Sequence, residues 1–290
     1  MSTFPPVGDP EASPRFRVVD LYVDALDLAG TAGLLERWIA SGTRSYVCHA
    51  NVHGVMEAHR DPRVRAAYAA SGLTVPDGMP LVWLGKRAGH AGIGRVYGPD
   101  LVLEMSARAA RRGYACYYLG GAPGVAETLA ETLEKLYPGL RTAGTWSPPF
   151  GADPQVVDSE AVRRLDRAKP DIVWVGLGCP KQELWMATHR PLVRAGVLVG
   201  VGAAFDFHTG RKRQAPRVLQ RAGLEWLFRL LVEPRRLWHR YLVYNPWFVA
   251  LVLAERLGLR RAAPPEAVSQ TATAAATASS PSDAERPGGR

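Results

Sequence analysis

Short apolar runs that stop at glycine or polar residues, then give way to helical spacing, recur along most of this chain. That recurrence constrains the fold more than any other feature. Residues 17–23 and 44–50 are short apolar or β-rich runs, and residues 52–70 carry Val55, Ala58, Val64, Ala67 and Tyr68 on one helical face. Residues 101–112 read as a helix and 114–119 as a buried strand. Gly120-Gly121-Ala122-Pro123-Gly124 then turns into a helix over 125–136. Another buried strand, 171–178, leads through Cys179-Pro180-Lys181-Gln182-Glu183 into a helix ending near 189, and 197–201 is a further strand. Strands alternating with helices predict an α/β domain with a largely parallel sheet flanked by helices. Ligands of such sheets bind in the crevice beyond the carboxyl ends of the strands. His49-Ala50-Asn51, Gly120-Gly121 and Pro180-Lys181-Gln182-Glu183 all fall at such ends, which suggests one shared site.

The 290 residues suffice for one large domain, or one domain with an appendage, and 47% hydrophobic content is ordinary for a globular chain. Cys48, Cys116 and Cys179 are scattered and form no CxxC pair, so neither a disulfide framework nor a zinc site is expected. No uninterrupted apolar run reaches the roughly 18 residues that a membrane span requires. Residues 1–14 read as a flexible leader without a signal pattern. Residues 261–290 are rich in Ala, Thr, Ser, Pro and Gly, and are expected to be disordered because they cannot bury enough surface to offset ordering entropy.

The net charge of +9 is concentrated: between Arg211 and Arg240 nine Lys/Arg face two acids, Glu225 and Glu233. Arginines there interleave with Leu219, Leu224, Trp226, Leu227, Phe228, Leu230, Leu231, Leu237 and Trp238 at helical spacing. That pattern suits a segment seeking an anionic membrane surface. It also suits a helix that packs its apolar side on the core and solvates its arginines, or one that packs between subunits of a homo-oligomer. No nucleic-acid module accompanies the charge, so no nucleic-acid partner is expected.

Three local features carry chemistry. The Gly120-Gly121 segment offers backbone N–H groups to a phosphate, or is simply a tight strand-to-helix turn. Val75-Pro76-Asp77-Gly78-Met79-Pro80 presents one carboxylate among apolar neighbours, as a general base or as an ordinary turn residue. Lys181 and Gln182 open a helix where they can contact an anionic or sugar ligand. Glu183 is expected to be structural, a first-turn acid favoured by the helix dipole. The seven histidines show no metal-ligand spacing, and Asp-x-Asp is absent, so no metal cofactor is expected. A glycine fingerprint after the first strand is missing, which argues against a nicotinamide-dependent oxidoreductase. A non-catalytic basic membrane-surface binder would leave the Asp77 and Gln182 segments without purpose.

Taken in order, these segments resemble the bacterial WecG/TagA/CpsF glycosyltransferase family. The matching features are Asn51, Pro76-Asp77-Gly78, Arg95-Val96-Tyr97-Gly98-Pro99-Asp100-Leu101, Leu119-Gly120-Gly121 and Tyr137-Pro138-Gly139. They continue through Val175-Gly176-Leu177-Gly178-Cys179-Pro180-Lys181-Gln182-Glu183, Gly200-Val201-Gly202-Ala203-Ala204-Phe205-Asp206-Phe207, Gly223-Leu224-Glu225-Trp226 and Glu233-Pro234-Arg235-Arg236. The resemblance implies a Rossmann-like catalytic domain over 15–210 and a basic amphipathic helical appendage over 211–260. It implies a cytoplasmic protein, peripheral on the inner face of the membrane, that needs no metal. The activity implied is inverting transfer of an N-acetylmannosamine, glucose or uronic-type sugar from a UDP donor to a polyprenyl-diphosphate-linked acceptor.

By the same resemblance Asp77 is the catalytic base, with Asn51 and Arg95 lining its pocket and Gln182 near the donor. Gly120, Gly121, Pro180, Lys181 and Asp206 are expected to bind substrate, and Arg229, Arg236 and Arg240 to close over the diphosphate. Where many members have Thr-x-Asn, this chain has His49-Ala50-Asn51. His49 remains able to donate a hydrogen bond there, but the contact of a threonine does not transfer to it directly. His239 occupies another position that is often basic, so its charge depends on pH.

Overall fold

The computed structural model describes residues 13–149 and 151–260. The expected tail, 261–290, and nearly all of the expected leader lie outside the described residues. The chain opens with strands β1 (Arg15–Val18) and β2 (Leu21–Asp24), followed by helix α1 (Leu28–Ser41). Next come β3 (Tyr46–Ala50), α2 (Val52–Arg60), α3 (Pro62–Ala69), β4 (Leu73–Pro76), α4 (Met79–Arg87) and α5 (Gly98–Arg112). The second half continues with β5 (Ala115–Gly120), α6 (Val125–Leu136), β6 (Arg141–Trp146), α7 (Ser159–Ala168), β7 (Ile172–Gly176), α8 (Lys181–His189), β8 (Val197–Gly200) and α9 (Ala204–His208). Four helices close the described chain: α10 (Arg217–Arg221), α11 (Glu225–Val232), α12 (Pro234–Leu242) and α13 (Tyr244–Arg256).

Six strands form one parallel sheet in the order β4-β3-β8-β7-β5-β6, with helices on both faces, as the alternating pattern predicts. The period-two geometry of strands divides the core cleanly. Tyr46, Cys48, Leu119, Val175 and Leu198 pack on one face. Val47, Tyr118, Trp174, Val197 and Val199 pack on the other. Burial on both faces explains why these strands read as continuous apolar runs instead of alternating ones.

The structure corrects three expectations. The run 17–23 is no sheet strand: the chain reverses at Val19-Asp20, with Val19 at φ 57°, and β1 and β2 form a separate antiparallel hairpin. Asp24 pins that hairpin to β4, accepting from the Thr74 N–H at 2.7 Å and pairing with Arg15. The helix expected over 52–70 is two helices, because Asp61 precedes a proline that disfavours helical backbone. Asp61 is extended and caps α3 through the Arg63 N–H. The basic stretch 211–240 is likewise broken into α10, α11 and α12, at Gly223 with φ +72° and at Pro234.

The last helices dock on α2 through α13. Tyr244 donates to Glu57 at 3.1 Å, and Arg260 pairs with Asp20 at 2.9 Å, which also holds His59 at 2.6 Å. Leu237, Tyr241, Tyr244 and Phe248 are buried, whereas Leu227, Leu231, Trp238, Leu242, Val249 and Leu253 face outward. The reading in which this segment turns its apolar side to the core therefore holds for only a minority of its large residues. Among the described residues no helix is long and apolar enough to cross a membrane.

Candidate active site

The sheet brings four segments to one edge. Asn51 follows β3, Asp77 follows β4, Gly178 to Gln182 follow β7, and Gly202 follows β8, four strands adjacent in the sheet. Asp77 is held at the β4-to-α4 junction, its N–H donating to the Ala50 carbonyl at 2.8 Å. Asn51 fixes both neighbours. Its Oδ1 accepts the Gly54 N–H at 3.1 Å, capping α2, and its Nδ2 donates to Asp77 Oδ2 at 3.3 Å. A Cβ on Gly78 would come within 3.3 Å of the Asn51 Cβ, so glycine there allows the two segments to approach.

Arg95 lies against Asp77, with Nη2 at 3.7 Å from Oδ1 and Nε donating to the Asp77 carbonyl. The same guanidinium pairs with Glu225 at 2.6 Å and lies over the Tyr97 ring, 3.9 Å from its centroid. Burial opposes its charge, but Asp77 and Glu225 more than offset this, and the Arg95 pKa is raised. Glu225 also accepts from the Tyr97 hydroxyl at 3.3 Å, so one acid of α11 ties the appendage to the site. Sequence reasoning gave Glu225 no role of its own. The available signal was its rarity, as one of two acids in a strongly basic stretch.

Two cavities meet at Asp77. One, of about 420 Å³, is polar and is lined by His49, Tyr97, Gly178, Pro180, Lys181, Gln182, Asp206 and Arg236, among others. The other, of about 500 Å³, is largely apolar, with Met79, Trp83, Leu84, Phe248, Val252 and Leu253 on its wall. Asn51, Asp77, Arg95, Glu225, Arg229 and Arg240 stand where these spaces adjoin; all but Arg95, which lines the apolar one, line both. No expectation anticipated the apolar cavity, because its lining comes from α4 and α13, about 170 residues apart in the chain. Arg229 and Arg240 form no ion pair among the described residues. Burial, together with the like charge of Arg229, lowers the pKa of Arg240. Arg236 pairs with Glu233, and Asp206 pairs with Lys212 at 3.1 Å.

Gly120 and Gly121 line neither cavity. Gly120, at φ +122°, packs so closely on β7 that a Cβ would lie 2.7 Å from the Gly176 carbonyl carbon. Of the two readings of that segment, the tight turn is the one the geometry supports. Among the described residues no group of three or more His, Cys, Asp or Glu side chains is arranged to hold a metal.

His49 and Glu183 are both buried. The His49 Nδ1 lies 2.9 Å from the Gly200 carbonyl, so Nδ1 carries the proton, and burial lowers the ring's pKa. The ring thus donates a hydrogen bond, as expected of it, but spends it on Gly200, and the neutral ring is left with an acceptor, Nε2. Glu183 does lie in the first turn of α8, as expected, and it is fully buried there, which raises its pKa to about 7. A carboxyl whose folded pKa exceeds its unfolded value stabilises the fold least where it must ionise. Stability is thus unaffected below about pH 4.5, declines up to pH 7, and stays reduced above it. At pH 8 the penalty is about 3 kcal/mol. Glu183→Gln is expected to raise the melting temperature relative to wild type at pH 8, and to lose that advantage at pH 5, in parallel thermal melts.

A parallel sheet with a cleft at its carboxyl edge, where a polar and an apolar space share the carboxylates of Asp77 and Glu225, defines an α/β protein with room for unlike ligands side by side. The chain belongs to the glycosyl transferase WecG/TagA/CpsF family, whose family model matches residues 16–262. Among its relatives is the N-acetylglucosaminyldiphosphoundecaprenol N-acetyl-beta-D-mannosaminyltransferase of Bacillus spizizenii. It is 30% identical over 239 residues, covering 81% of this chain and 89% of that protein.

Proposed function

We propose that this protein is an inverting, metal-independent glycosyltransferase that moves a sugar from a UDP donor to a polyprenyl-diphosphate-linked saccharide for a cell-surface polysaccharide. The observation that carries this reading is the position of Asp77, on the wall of both the polar and the apolar cavity. The polar space suits a sugar nucleotide, and the apolar one suits the first isoprenoid units of a lipid acceptor. The B. spizizenii relative bears the name of an enzyme with such an acceptor.

In the proposed reaction Asp77 takes the proton of the acceptor hydroxyl, and the freed oxygen attacks the anomeric carbon. The bond from that carbon to UDP breaks, and UDP leaves with the electron pair. Arg229 and Arg240, which pair with no carboxylate among the described residues, stabilise the diphosphate electrostatically. Asn51 orients Asp77, and Arg95 lies beside its carboxylate. The outward Leu227, Leu231, Trp238 and Leu242 and the neighbouring arginines would hold the appendage, residues 211–260, on the inner face of the cytoplasmic membrane.

UDP release from a panel of UDP-sugars, with and without a polyprenyl-diphosphate-sugar acceptor and in EDTA, tests the reading. Release that requires the acceptor and occurs with one donor is expected. Release without acceptor dependence, or only after a divalent metal is restored, would overturn the corresponding part.

A further inference from the structure

Three residues that line the polar cavity each bury an acceptor with no hydrogen-bond donor among the described residues: Asp77 Oδ1, His49 Nε2 and Gln182 Oε1. Asp77 is accounted for by the proposed chemistry; His49 and Gln182 are not. Both are almost completely buried, at 5% and 3% exposure, so an unmet acceptor on either is costly.

Neither side chain is free to turn its polarity around. The His49 ring is anchored through Nδ1–H on the Gly200 carbonyl. The Gln182 amide spends both N–H groups, one on Glu183 Oε1 at 3.0 Å and one on the same Gly200 carbonyl at 3.1 Å. Turning that amide over would set its oxygen against two other oxygens. One carbonyl thus locks two neighbouring side chains, and each is left with only an acceptor to offer. A hydroxyl side chain at position 49 would rotate to give or take; a neutral, anchored imidazole cannot.

We propose that His49 and Gln182 form an acceptor-only pair that selects hydroxyl groups on the transferred sugar. The chemistry of the ligand favours its sugar rings over the diphosphate and the base, and binding of UDP alone separates the transferred sugar from the ribose diol. Diphosphate oxygens carry no hydrogen and a negative charge, so two acceptors repel them. The one imide N–H of uracil is flanked by two carbonyl oxygens, which oppose an acceptor pair. A pyranose ring offers several O–H groups side by side. Glu183 acts behind the pair as a positioning residue, because its carboxyl fixes which way the Gln182 amide faces. The inference rests on the reading of a UDP-sugar donor.

Calorimetric titration with UDP, UDP-N-acetylmannosamine, UDP-glucose and UDP-glucuronate tests it. Wild type is expected to bind at least one sugar nucleotide more tightly than UDP. Analogues of that ligand in which single sugar hydroxyls are replaced by fluorine, which accepts but cannot donate, should include at least one that loses about tenfold in affinity. His49→Phe and Gln182→Leu should each lose a similar factor for the sugar nucleotide while binding UDP within about twofold of wild type. His49→Gln, which can still present an acceptor, should recover part of the loss. The fluorinated ligands need no variant, so misfolding of either substitution leaves the test intact. Equal tolerance of every fluorinated analogue, no preference of wild type for any sugar nucleotide over UDP, or an equal loss of UDP affinity in the variants would overturn the pair's role. Wild type that binds neither UDP nor any UDP-sugar would overturn the donor reading itself.

Discussion

Asp77→Asn is expected to lower acceptor-dependent turnover by about a hundred- to ten-thousand-fold, the range over which a positioned general base acts. The substitution keeps the size and planarity of the side chain, and its amide oxygen can still accept from Asn51 Nδ2. What it loses is the capacity to hold the acceptor's proton. Binding of the donor should change little, because in the proposed reaction Asp77 acts on the acceptor hydroxyl, so the loss should fall on kcat and not on donor KM. Circular dichroism and thermal melts of the variant should match wild type closely. Near-normal turnover from a folded variant would remove Asp77 from the mechanism.

The second large effect concerns Arg229 and Arg240, which form no ion pair among the described residues. Arg229→Met and Arg240→Met each remove a charge-assisted contact worth about 1.5–3 kcal/mol, or roughly ten- to a hundredfold in kcat/KM. Methionine keeps much of the packing of the aliphatic stem. The double variant is expected to fall further than either single one. Stability should move the other way: burial and the charge of Arg229 both weigh against Arg240 in its present place. Loss of activity with unchanged or raised melting temperature would therefore separate a role in binding from a role in folding. Unaltered kcat/KM in both single variants would place the diphosphate elsewhere.

Four of the six sheet strands, β3, β5, β7 and β8, were legible because they are buried on both faces and so read as unbroken apolar runs. The turn residues around Pro76 hid β4, and a partly exposed, Gly- and Thr-containing sequence hid β6. The helix over Val125–Leu136 was legible to the residue, since apolar spacing and the Gly124 entry agree. Breaks were harder to read. Asp61-Pro62 carries a visible signal that the longer apolar face over 52–70 masks, and β1 and β2 look like one strand because their turn contains a valine. The candidate site was legible as separate segments, through polar residues at strand ends. Its joining was not. Glu225 meets Arg95 across 130 positions, and the apolar cavity exists only where α13 folds back beside α4. The acceptor character of His49 depends on the Gly200 carbonyl 151 positions away, which no local pattern encodes.

Helix α2 has a role at each end. Its first turn is capped by the side chain that also grips Asp77, and Glu57 and His59 in its last turns hold Tyr244 and the Asp20 to which Arg260 is fastened. Nine residues of helix make a rod of about 13 Å, too short to bend. A tilt imposed on α13 is therefore handed to Asn51 with little lost on the way. The strut that fastens the outer helices to the sheet is the same strut that aims the carboxylate.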